Sequence, residues 1–176
     1  MFLEYPYHCL FYYYGKARTY FSYCLPQVTQ VSSDKILDNI YLGNLSASVS
    51  KDYIEENNIN HIISAVTGAY PIYDNITYTC LDLLDESFFE INKVFNETNN
   101  VIEENLRKNK NILIHCICGV SRSTTVLCAY LIKKNNYTPE EAVHFIREKR
   151  SIVNPNPGFM NQLQKYYDYL QEKKEN

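Results

Sequence analysis

The chain reads as an α/β domain, with a central sheet of four or five mostly parallel strands and helices on both faces. Two observations predict it. Residues 59–66 and the run Ile112-Leu113-Ile114 are short and apolar without strict alternation, as strands covered on both faces are. Between and after them lie segments whose apolar residues recur at helical spacing, so strand and helix patterns alternate along the chain. With 176 residues, 45% of them hydrophobic, the chain is long enough for one sizeable core, and no tandem repeat or linker divides it.

Residues 1–33 stand apart in composition. Tyr5, Tyr7, Tyr12, Tyr13, Tyr14, Tyr20 and Tyr23 crowd together there with Phe2, Phe11 and Phe21. They read as an amino-terminal extension that packs partly on the domain or stays disordered. A contact with a partner or a membrane surface is the other reading, with Cys9 and Cys24 as lipidation candidates.

The domain is expected over residues 34–172. Ile36, Leu37, Ile40, Tyr41 and Leu42 around Asp38-Asn39 predict a small hairpin or bent edge strand, ended by Gly43-Asn44. Residues 48–58 read as a short helix stopped by Asn57-Asn58. The strand at 59–66 follows, its His61 expected at the surface. Residues 68–75 form a loop, 76–81 alternate as a third strand, and 82–87 make an acidic loop. From Phe88 to Lys108, Ile91, Val94, Phe95, Ile102 and Leu106 recur at helical spacing, which predicts an amphipathic helix laid on the sheet.

Asn109-Lys110-Asn111 turns into the central strand. Residues 123–132 then read as a helix with so little polar character that it must be mostly buried. After the turn Asn135-Asn136-Tyr137, the run Thr138-Pro139-Glu140-Glu141 places threonine at the N-cap, proline at N1 and glutamate at N3. Arg147, Lys149 and Arg150 close that helix with the charge its carboxyl end favours. Gly158-Phe159 opens a last helix through Leu170, and the polar tail 173–176 is expected to fray.

Net charge is −3, which argues against a nucleic-acid-binding scaffold. No signal peptide stands out, and no run approaches the length of a membrane helix. Six cysteines in a chain this rich in periodic apolar segments read as thiols rather than a disulfide framework, so a reducing compartment, cytoplasmic or nuclear, is expected.

The chemistry is concentrated in His115 to Ser123, HCICGVSRS. A tight loop between strand and helix aims backbone N–H groups and a helix N-terminus at one point, which favours anions. Cys116 sits where these would stabilise a thiolate, lowering its pKa and making it a nucleophile near neutral pH. Gly119 lets the backbone turn sharply and approach a ligand. Arg122 can fold its planar fork over the loop and hold two phosphoryl oxygens. Ser123 puts a hydroxyl beside the sulfur, and His115 is expected to shape the loop. Metal ligands at conventional spacing are missing, so the chemistry is expected to need neither metal nor cofactor. A leaving oxygen needs a proton, which a carboxylic acid in the loop at 82–87 can give. Asp82 and Asp85 both qualify, while Glu86 and Ser87 suit capping of the following helix.

The stretch HCICGVSRS resembles the catalytic loop of cysteine-dependent protein phosphatases, specifically the dual-specificity group. Tyr41-Leu42-Gly43-Asn44, Ala129-Tyr130-Leu131 and Asn154-Pro155-Asn156-Pro157-Gly158-Phe159 with Gln162-Leu163 extend the similarity over roughly residues 34–172. The resemblance implies hydrolysis of phosphotyrosine and phosphoserine or phosphothreonine on proteins, through a cysteinyl-phosphate. In that reading the amides of Ile117, Cys118, Gly119, Val120, Ser121 and Arg122 solvate the phosphoryl oxygens. Asp85 matches the general acid, and Asn44 and Asn156 match loop-bracing asparagines. Arg150 matches a position that faces a second substrate phosphate, with a solvated helix end as its other reading. Phosphorylated proteins are the implied partners. Uncharged residues inside the loop argue against a phosphoinositide head group, the acidic balance against an RNA 5′-end, and the intact Cys–Arg–Asp set against a binding module without turnover. With only 33 residues before the domain, no docking domain of the rhodanese type is expected. Cys118 and Cys80 are candidate resolving thiols for an oxidised Cys116, set against a reading as ordinary buried thiols. Two-residue spacing is poor disulfide geometry, so Cys80 is the better partner if it approaches.

Overall fold

A computed structural model of the chain describes residues 30–175. The tyrosine-rich start, with Cys9 and Cys24, lies outside the described residues apart from its last few positions. Two short strands open the fold, β1 (Ser33–Leu37) and β2 (Ile40–Gly43), paired antiparallel across the turn at Asp38-Asn39. Three more strands follow: β3 (Ile59–Ala65), β4 (Thr77–Leu81) and β5 (Asn111–His115). The sheet order is β1-β2-β5-β3-β4, parallel throughout except for the first pair. β5 is therefore central, with β2 on one side and β3 on the other.

Side chains of successive strand residues point to opposite faces, and the two cores follow that alternation. Ile40, Leu42, Ile63, Ala65, Ile112 and Ile114 face the larger core, while Tyr41, Ile62 and Leu113 face the smaller one. The smaller core is covered by two short helices, α1 (Leu45–Val49) and α2 (Lys51–Glu56), through Ala47 and Ile54. One helix over 48–58 was expected; the chain breaks at Ser50, whose extended backbone and side chain cap α2 at the Tyr53 N–H.

Four helices cover the larger core: α3 (Phe95–Arg107), α4 (Arg122–Asn135), α5 (Pro139–Arg147) and α6 (Pro157–Glu175). α3 starts later than its apolar spacing suggested. Residues 91–94 form a 3-10 turn instead, with Ile91 still buried and Phe88 left 69% exposed. α4 is buried from Arg122 to Ile132, as its composition required. The Thr138/Glu141 capping box forms in full. α6 runs on to Glu175, past the expected end at Leu170, so residues 173–175 continue the helix.

Asparagines end three of the helices. Asn58, Asn109 and Asn136 all have positive φ just after α2, α3 and α4, where a short polar side chain tolerates the left-handed turn better than most residues. His61 is buried rather than at the surface, because β4 covers its strand; its Nε2 lies 2.9 Å from Thr79 Oγ1. Among the described residues, no helix is long and apolar enough to cross a membrane.

Candidate active site

The parallel strands deliver their carboxyl ends to one edge of the sheet, where open α/β folds bind ligands. β5 ends at His115, and residues 116–121 loop over to the start of α4. Cys116 is 1% exposed at the loop's base. The Gly119 N–H points at its sulfur from 3.2 Å, and Ser123 Oγ lies 3.3 Å away.

Every carbonyl from Cys116 to Ser121 is bonded away from the loop centre. Cys116 O receives His115 Nδ1 at 3.2 Å, and Ile117 O receives the Leu45 N–H at 3.0 Å. Cys118 O and Gly119 O receive Arg150 at 3.1 and 2.9 Å. Val120 O receives the Asn154 N–H, and Ser121 O receives Thr125. In a planar trans peptide the N–H points opposite to its carbonyl, so the amides that follow turn inward as a cradle of donors.

Ser121 occupies the N-cap of α4 but makes no capping bond. Its hydroxyl donates to Asp85 instead, which leaves the first amides of α4 available to an anion. Gly119 has φ of +68°, and a Cβ there would lie 2.4 Å from the Gly43 carbonyl oxygen. Glycine is required at that position.

Burial alone would push the Cys116 thiol up. The Arg122 guanidinium, the Ser123 hydroxyl and the amides of Ser123 and Val120 outweigh it, holding the thiol below its ordinary range. Arg122 is 8% exposed and anchored by Nη1 on the Leu83 carbonyl at 3.1 Å. Its Nε is buried and makes no hydrogen bond within the protein.

Asp85 and Asp82 separate cleanly. Asp85 Oδ1 receives Ser121 Oγ at 2.7 Å and Asn156 Nδ2 at 3.0 Å, while its Oδ2 lies 3.7 Å from Arg122 Nε. Asp82 is exposed and accepts the Gly68 N–H at 3.0 Å, so it braces the loop after β3. Beside Asp85, an open cleft of about 700 Å³ is lined by Ser121, Glu140, Asn154, Asn156 and Met160 among others.

Two asparagines tie neighbouring segments together. Asn156 holds Asp85, receives the Phe159 N–H on Oδ1, and donates its own N–H to Ser121 Oγ at 3.3 Å. Asn44 caps α1 by accepting the Ala47 N–H and ties down Ser32 and Gln30. His115 is buried and neutral. Burial lowers its pKa to about 4, and nearby Arg122 pushes the same way against the opposing Cys116 carbonyl. A carbonyl can only accept, so Nδ1 carries the proton and Nε2 accepts the Ser64 hydroxyl at 2.8 Å.

Arg150 is neither a solvated helix end nor presented to a second substrate phosphate. It is 3% exposed, folded behind the loop, and its donors are taken by Cys118 O, Gly119 O, Ser32 and Asp34. Cys80 does not approach Cys116 either. It lies on β4, with Ser64 of β3 between it and His115 of β5. Two strand spacings, about 9–10 Å, exceed the reach of a disulfide.

Sequence reasoning missed the partners that act through backbone or from afar: the Leu83 carbonyl, Ser64, Asp34 and Gly43. Only Ser64 left a signal, a hydroxyl inside an otherwise apolar strand.

Residues 40–169 match the family model of the dual specificity phosphatase catalytic domain. The chain is 38% identical over 133 residues to the dual specificity protein phosphatase 22-A of Danio rerio, covering 76% of this chain and 64% of that protein. It is 33% identical to the human dual specificity protein phosphatase 22, covering 76% and 72%. A crystal structure of DUSP15 superposes with a TM-score of 0.73 at 33% identity, covering 80% of this chain and 96% of that one. The chain thus belongs to the dual-specificity phosphatase family.

Proposed function

We propose that the chain hydrolyses phosphotyrosine and phosphoserine or phosphothreonine on proteins through a cysteinyl-phosphate, without metal or cofactor. The observation that carries the reading is the convergence on Cys116. Its sulfur receives an inward N–H and the Ser123 hydroxyl, with Arg122 and Asp85 at the same loop.

The phosphoryl group sits in the cradle of amides from Ile117 to Arg122, and Arg122 turns its Nε, which makes no hydrogen bond within the protein, to a phosphoryl oxygen. Cys116 Sγ forms a bond to phosphorus as the bond to the substrate oxygen breaks. Asp85 Oδ2, the oxygen that Ser121 and Asn156 leave alone, protonates that departing oxygen. In the second step the Asp85 carboxylate takes a proton from water as water attacks phosphorus. The sulfur leaves as a thiolate that accepts a hydrogen bond from Ser123 Oγ. The cleft beside Asp85 gives the leaving chain room.

The test is turnover of a phosphotyrosyl and a phosphothreonyl peptide, with chelator present, for wild type, Cys116→Ser and Asp85→Asn. Turnover of both by wild type is expected. Cys116→Ser should abolish it, and Asp85→Asn should slow it by roughly 10²–10⁴-fold. Activity retained in Asp85→Asn would return the acid to Asp82. Wild type inert on both peptides would overturn the assignment and direct the search to phosphoinositides, RNA 5′-ends or phosphoprotein binding.

A further inference from the structure

Arg150 is the most heavily bonded buried cation outside the proposed chemistry among the described residues, and its placement gives it work to do. Nε donates to Gly119 O at 2.9 Å and Nη2 to Cys118 O at 3.1 Å. On its other side Nη1 meets Asp34 Oδ2 at 2.7 Å, and both terminal nitrogens meet Ser32 Oγ at 3.2 Å. We propose that Arg150 is a positioning residue for the catalytic loop: by gripping these two carbonyls from behind, it keeps the next two N–H groups turned toward the Cys116 sulfur.

The geometry is that of two consecutive peptide planes. With Cys118 O held outward, the Gly119 N–H must point inward, and it lies 3.2 Å from Cys116 Sγ. With Gly119 O held outward, the Val120 N–H turns in as well, and that amide is among the groups that favour the Cys116 thiolate. Glycine makes these planes the easiest in the loop to rotate, because no Cβ resists it. Gly43 and Arg150 close on Gly119 from two sides: a Cβ there would lie 2.4 Å from Gly43 O and 2.9 Å from Arg150 Nη2. A rotated plane would aim a carbonyl oxygen at the sulfur and reverse the sign of the local field. Arg150 acts here through shape. The leading charge effect on the Cys116 thiol comes from Arg122. Asp34 and Ser32 hold the far side of the fork, so the hairpin at the start of the domain fixes the loop's geometry.

This inference rests on the reading of Cys116 as the nucleophile, and the experiment separates the two. Iodoacetamide alkylation of Cys116 in the full chain is followed by peptide mass spectrometry from pH 4 to 9. Wild type, Arg150→Met and Arg150→Lys are compared, with Cys116→Ser identifying the peptide. The midpoint is read rather than the rate, because a less acidic thiolate is also more reactive. Wild type should titrate below the ordinary thiol range. Arg150→Met should raise the midpoint by about one unit, a tenfold loss of thiolate below it. Arg150→Lys keeps the charge opposite Asp34 but cannot bridge both carbonyls, so its midpoint should rise by at least about half a unit. If Arg150→Met fails to fold by near-ultraviolet circular dichroism, the lysine variant decides. A wild-type midpoint in a folded Arg150→Met or Arg150→Lys protein would overturn the inference alone. An ordinary thiol midpoint in wild type would overturn the nucleophile reading and this inference with it.

Discussion

Acid should unfold this protein through His115, and the size of the effect follows from its surroundings. The imidazole is 2% exposed, with Nδ1–H on the Cys116 carbonyl and Nε2 accepting from Ser64. No lone pair is left for a second proton, and burial lowers its pKa from 6.5 to about 4. In the unfolded chain the ring takes up a proton below about pH 6.5. In the folded chain it does so only below about 4. Between those values the unfolded state binds more protons, so stability is full above pH 6.5 and is lost as pH falls. At about 1.4 kcal/mol per pKa unit, this one residue removes about 2 kcal/mol by pH 5 and about 3 kcal/mol by pH 4. His61 is also lowered, by burial and by Lys110, and adds to the slope with the same sign. The variant His115→Asn isolates His115, because it retains an N–H donor toward the Cys116 carbonyl and does not titrate. Urea unfolding of both proteins at pH 7, 6, 5 and 4 gives the difference directly. Wild type should lose about 3 kcal/mol more than His115→Asn across that range. Parallel pH profiles for the two would refute the reasoning, since a buried neutral histidine must produce the slope.

Two further substitutions test how the loop and the acid are held. Gly119→Ala places a methyl group 2.4 Å from the Gly43 carbonyl at a φ of +68°. It should lower thermal stability by at least about 1–3 kcal/mol and abolish detectable turnover; an unchanged melting temperature would contradict the close approach. Asn156→Ala removes one of the two hydrogen bonds on Asp85 Oδ1. It should cut phosphopeptide turnover roughly 10- to 100-fold, the worth of a hydrogen bond to a charged group. Its effect on an aryl phosphate whose leaving group needs no proton should be smaller, and equal losses on both substrates would argue against a role through Asp85.

What was legible in the sequence was mostly local. Strand–loop–helix around Cys116, the Thr138–Glu141 cap and the burial of α4 each depend on residues within one turn or loop, and each appears in the structure. The choice between Asp82 and Asp85 could not be read from the residues alone, because both sit in one short acidic loop. Only folding sets Gly68 against the first and Ser121 with Asn156 against the second. Arg150 was misplaced for the same reason. A basic residue after a helix reads as solvated, and the partners that bury it lie 31 to 118 positions away. The single helix expected over 88–108 failed at its start for a local reason: residues 91–94 close as a tighter 3-10 turn before α3 begins.

The order in which the chain emerges during synthesis gives these distant contacts a further consequence. Cys116 is made before Arg150 and Asn156, so a nascent chain carries the thiol while two of the braces around it do not yet exist. At about 5–20 residues per second, the 40 positions from Cys116 to Asn156 take a few seconds to add. Throughout that interval the Cys118 and Gly119 carbonyls lack the guanidinium that holds them outward in the finished loop. The finished loop exists only once Asn156 hydrogen-bonds Asp85 and Arg150 closes on the Cys118 and Gly119 carbonyls. A truncated product ending before Arg150 would therefore lack both of these braces.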